Sequence, residues 1–94
     1  VLNMLKVSLS SKKEDELEEV AEYINLNHIQ FHGDNITVYA PVNAGIYKIN
    51  DIYTKFIYAK SQSYEVLTNF KDELEKLSRD NILFKNINIQ FDFN

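Results

Sequence analysis

His28 and His32 are the only imidazoles in this 94-residue chain. On an extended strand, four positions separate their side chains by roughly 13 Å, too far to hold one metal ion together. Both read as surface or turn residues, and no metal site is expected. Carboxylates are denser: Glu14, Asp15, Glu16, Glu18, Glu19 and Glu22 crowd one short stretch. Acid–base catalysis needs carboxyl groups in contrasting environments inside a cleft, whereas helical spacing spreads these along a solvated polar face. Ser8, Ser10 and Ser11 have no histidine on a matching element to activate them. Cysteine is absent, which removes thiolate chemistry and disulfides, and two glycines cannot build a phosphate-cradling loop. The residue types therefore predict no catalytic residue and no cofactor, and a chain that is not an enzyme.

Binding is the remaining class. The formal net charge is −4, from ten basic and fourteen acidic residues, the opposite of the basic stripe with which proteins neutralise phosphates. Nucleic acid is expected to bind weakly or not at all. The one strong field is the acidic helix, so Glu18, Glu19 and Glu22, with Tyr23 beside them, are the candidate contacts for a basic protein partner or a second copy of the chain. The alternative lies in the six tyrosines and six phenylalanines. Tyr39, together with Tyr47, Tyr53 or Tyr58, could form a stacking surface for single-stranded nucleic acid on the wet face of a sheet, although most phenylalanines fall on dry faces. No apolar run reaches the ~20 residues that span a bilayer, and the amino terminus lacks the pattern of a signal peptide. One domain over 1–94, cytoplasmic and without a membrane partner, is the expectation.

The elements that would position these residues follow from periodicity. Residues 28–40 alternate on both sides of His32-Gly33-Asp34-Asn35 and predict a central hairpin: Phe31 faces Ile36 and Ile29 faces Val38 on the dry side, while Gln30 meets Thr37 and His28 meets Tyr39 on the wet side. Leu5, Val7 and Leu9 alternate with Met4, Lys6 and Ser8 in an opening strand, with a short helix as the competing reading. Ser11 and Glu14 have capping-box spacing ahead of a helix over 12–25 with Leu17, Val20, Ala21 and Ile24 on its apolar side. From Ser63, Val66, Leu67, Phe70, Leu74 and Leu77 mark a second helix, supported by a Glu75–Arg79 pair. Residues 86–93 alternate without a fault and predict a half-buried strand.

Residues 43–60 fit two periods. The preferred reading is a helix capped by Asn43, with Ile49, Tyr53 and Phe56 buried and Asp51 and Lys55 facing water. The alternative is a pair of strands meeting at Asn50-Asp51. With either, the fold class is α+β: a small mixed or antiparallel sheet, central hairpin 28–40 plus C-terminal strand 86–93, with two or three helices on one face. Both ends read strand, helix, strand, an internal echo compatible with a ferredoxin-like βαββαβ domain.

Glu19 to Ile24, then Ile29 to Pro41, then Ile49 and Tyr53 at eight and twelve positions beyond the proline, together resemble the N-terminal domain of the bacterial replication initiator DnaA. Val42 and Ala44 depart from that family's pattern after the proline. The resemblance implies a small non-catalytic domain that binds partner proteins or copies of itself in a bacterial replication or mobile-element (phage or plasmid) system. Glu19 matches an acid that takes part in partner contact there.

Overall fold

A computed structural model describes residues 2–27 and 35–94. Its elements are β1 (Asn3–Ser11), α1 (Glu14–Asn27), β2 (Thr37–Val38), β3 (Val42–Ile49), β4 (Ile52–Ser61), α2 (Tyr64–Asp80), a 3₁₀ turn at Ile82–Phe84, and β5 (Asn88–Phe93). Every strand pairing is antiparallel. β4 and β1 form the centre, β5 is one edge, and β2 and β3 follow each other along the opposite side of β4. With β2 and β3 taken as one broken strand, the order is that of a ferredoxin-like βαββαβ sheet. The first arm of the expected hairpin, with His28, Ile29, Gln30, Phe31 and His32, lies outside the described residues. Its second arm is β2, paired with Lys60 and Ala59 of β4.

Alternation on β1 organises the core. Leu5, Val7 and Leu9 stand opposite Ala59, Ile57 and Lys55 on one side and Phe93, Phe91 and Ile89 on the other. Directly opposed residues share a sheet face, so the register gathers these side chains on the face that both helices cover. There Leu17, Val20, Ala21 and Ile24 of α1 and Leu67, Phe70 and Leu74 of α2 complete the buried cluster, with Phe84 closing it. Each fully buried Leu, Ile or Phe contributes on the order of 1.5–3 kcal/mol. The helices are thus held mainly by this dry layer.

Both strand-to-helix joints use a buried serine. Ser11 and Ser61 are 6% and 3% exposed. The Ser11 hydroxyl accepts the Lys13 N–H at 3.0 Å and donates to the Asn86 carbonyl at 2.8 Å. The Ser61 hydroxyl accepts the Ser63 N–H at 3.0 Å and donates to the Asn35 carbonyl. The expected capping box is therefore corrected: Ser11 turns into the core, and α1 begins at Glu14. Ser63 does cap α2, accepting the Val66 N–H at 3.3 Å. The repeated joint gives the echo between the two halves a physical form.

The helix expected over 43–60 is also corrected: the segment is a β-hairpin. Asn50 and Asp51 adopt φ of 52° and 64°, the pair of left-handed residues that a type I′ turn requires and that matches strand twist. Asn and Asp tolerate that region better than other non-glycine residues, and Val42, Ile46, Ile49, Ile52 and Ile57 favour strands. Ile49 and Tyr53, which the preferred reading placed on one helix, end up on β3 and β4. Asp51→Gly should raise the unfolding free energy by about 0.5–1 kcal/mol in urea denaturation, since glycine enters the left-handed region without steric cost. A loss of ~1 kcal/mol, as for a helix interior, would contradict the turn.

Candidate functional site

The predicted partner contacts do not act together. Glu18 turns towards the sheet, where its Oε1 lies 3.1 Å from Lys55 Nζ and accepts the Tyr47 hydroxyl at 3.0 Å. Lys55 extends from β4 beneath α1 with its side chain 11% exposed, and also donates to Asn43 Oδ1 at 2.9 Å. Tyr47 comes from β3, where a register shift between Asn43 and Lys48 lets the strand bulge and bring the phenol to α1. Burial, the hydrogen bond to Glu18 and the nearby negative charge of Glu14 hold the Tyr47 phenol well above its usual range. Glu19 and Glu22 are exposed, and Tyr23 is half-buried against the core. Of the four, Glu18 is 52% exposed but engaged by Lys55 and Tyr47, while Glu19 and Glu22 face solvent.

The sheet face away from the helices carries a different set. Phe56 and Tyr58 lie on β4 with ring centres 6.2 Å apart. Lys6 of β1, directly opposite Tyr58, holds its ammonium 4.6 Å from the Phe56 ring centre. Beyond them Lys60 sits 5.5 Å from the ring centre of Tyr39, which is 46% exposed. By alternation Ser8, Ser10, Thr37, Thr54, Asn88, Gln90 and Asp92 share the face, with Met4 opposite Lys60 and Val42 opposite Phe56. Met4, Lys6, Tyr58, Asp92, Phe93 and Asn94 line a shallow hollow of about 300 Å³. Sequence reasoning named Tyr39 and Tyr58, which lie here, and also Tyr47 and Tyr53, which pack on the helix-covered face instead; it missed Phe56, Lys6 and Lys60. The signal for Phe56 and Lys60 was the alternation of Thr54, Phe56, Tyr58 and Lys60, legible once β4 is read as a strand.

The two sheet edges differ. One side of β4 is shared by a two-residue strand, Pro41 and the bulged β3, which also carries Lys48; short strands, proline, lysine and bulges all discourage further pairing. β5 runs six residues against β1 without a register shift and contains neither proline nor lysine. The Asn94 N–H donates to the Met4 carbonyl at 2.9 Å. By alternation Asn88, Gln90 and Asp92 also turn their main chains inward, and Ile89, Phe91 and Phe93 direct theirs outward. Among the described residues no strand pairs with that side of β5, no set of three His, Cys, Asp or Glu is placed to hold a metal, and no helix is long and apolar enough to cross a membrane.

No family model matches the chain, and no curated protein sequence does either. Among solved structures it is similar to the de novo designed protein Foldit4, at 12% identity and a TM-score of 0.76, covering 100% of this chain and 97% of that one. It is also similar to a dimeric ferredoxin-like protein from an uncultured marine organism, at 6% identity and a TM-score of 0.69, covering 99% and 92%. An ACT domain protein from Streptococcus pneumoniae follows at 12% identity and a TM-score of 0.54, covering 97% and 89%. At these identities the likeness is one of fold: an α+β, ferredoxin-like domain.

Two outcomes test the Lys55 cluster. Glu18→Gln should destabilise the fold by about 1–2 kcal/mol, less than the 3–5 kcal/mol of a fully buried pair because Glu18 is half exposed. Glu19→Gln and Glu22→Gln should stay within ~0.5 kcal/mol; equal effects at all three would contradict the assignment. A phenol held protonated in the fold stabilises it below its unfolded pKa of ~10 and loses that contribution as pH rises further. Denaturation midpoints of the native chain should therefore fall more steeply above about pH 10 than those of Tyr47→Phe.

Proposed function

We propose that the chain is a non-catalytic interaction domain that self-associates through β5. The observation that carries this reading is the contrast between the two sheet edges. A regular edge strand with outward main-chain donors and acceptors is a template for another strand. A second β5 fits it: identical strands paired antiparallel about a two-fold axis make an isologous contact. Because the opposite edge is broken and guarded, pairing would stop at two copies and not continue into a fibre. The dimeric assembly of one ferredoxin-like neighbour supports the reading.

The absence of catalysis is part of the same proposal. Lys55 is the buried amine that could have served as a nucleophile or base, and it is engaged by Glu18 and Asn43. Glu19 and Glu22 leave room for a basic partner on α1, but Glu18 already serves the fold.

Light scattering on the purified chain should give twice the 11.0 kDa chain mass. Gln90→Lys with Asp92→Lys places like charges along the edge at two exposed positions and should halve that mass without changing the circular dichroism spectrum. A native mass of one chain, or a dimer indifferent to both lysines, would overturn the edge assignment.

A further inference from the structure

We propose that the uncovered sheet face binds single-stranded nucleic acid, with Phe56 and Tyr58 stacking bases and Lys6 and Lys60 meeting phosphates. The proposal rests on this face and is independent of pairing at β5. Its first ground is charge placement. Eleven of the fourteen acidic residues lie on α1 and α2, which pack on the other side of the sheet, whereas among the described residues the open face carries Lys6 and Lys60 against Asp92. The two helices carry eleven acids against three bases and the rest of the chain three acids against seven bases, so the net charge of −4 does not describe the surface that a ligand would meet.

The second ground is the match between side chains and a nucleotide chain. Phe56 and Tyr58 are neighbours on one central strand with ring centres 6.2 Å apart, and each ring offers an edge or face to a base. Every base has a π-face, so stacking tolerates sequence, and cationic side chains beside aromatic rings add to it. Lys6 and Lys60 already lie against aromatic rings at 4.6 Å and 5.5 Å, close enough for one nucleotide to engage ring and ammonium together. Ser8, Ser10, Asn88 and Gln90 supply neutral donors and acceptors around them, which suit base edges better than a second apolar sheet. A second copy laid on this face would have to bury Lys6, which stands on the central strand β1.

Fluorescence anisotropy of a fluorescein-labelled twelve-nucleotide oligothymidylate, titrated with the full chain at low salt, should show saturable binding. Two phosphate contacts to a single strand imply that a tenfold rise in salt weakens binding about 25-fold. Phe56→Ala should weaken it at least about fivefold. Lys6→Glu with Lys60→Glu, at positions outside the core, should abolish the salt dependence and most of the binding while leaving the melting curve in place. No anisotropy change at ~100 μM protein would overturn the proposal, since even non-specific affinities reach that range. So would unchanged binding in the double lysine variant, or conversion of a dimer to a monomer by Phe56→Ala without loss of oligonucleotide binding.

Discussion

One-sided burial of β1 is the constraint from which the rest of the structure follows. Leu5, Val7 and Leu9 are fully buried, and a strand turns alternate residues the same way, so the partners of β1 must present apolar side chains in the same register. β4 does so with Ile57 and Ala59, and β5 with Ile89 and Phe91. Two helices of fourteen and seventeen residues cover one face of such a sheet. Among the described residues the other face and one edge are left uncovered, and both proposed binding surfaces arise from that geometry.

The same constraint explains Lys55. It occupies the β4 position opposite Leu9, where the pattern would place an apolar residue. Its stem fills the layer while its ammonium reaches Glu18 at the rim of α1. Glu18 and Tyr47 thereby tie the helix to the bulged edge strand, which has few ladder bonds of its own. An acid that looked like part of a docking surface is consumed in holding the fold.

Much of the architecture was legible because its signal is local. The Leu5–Leu9 alternation, the apolar stripes of both helices, the Ser63 cap and the faultless alternation of 86–93 each depend on residues a few positions apart. Residues 43–60 misled because Ile46, Ile49, Tyr53 and Phe56 satisfy a helical stripe as well as two strands. The arbiter is backbone strain at Asn50-Asp51, which composition suggests only weakly. Ser11 misled in the same way: capping-box spacing was present, but burial against the distant Asn86 carbonyl claimed the hydroxyl first. The candidate surfaces were less legible still. Grouping Lys6 with Phe56 requires the β1–β4 register, and the contrast between edges requires the strand order, neither of which has a local signature.

Amide hydrogen exchange along β5 tests the self-association account most directly, because it reads the outward main chain itself. Asn88, Gln90 and Asp92 donate towards β1 and should be protected at every protein concentration. Ile89, Phe91 and Phe93 should exchange quickly in dilute solution and become protected as concentration rises and a second β5 pairs with them. Rapid exchange of those three amides at all concentrations, beside protected neighbours, would show that the edge stays open to water and would contradict the account.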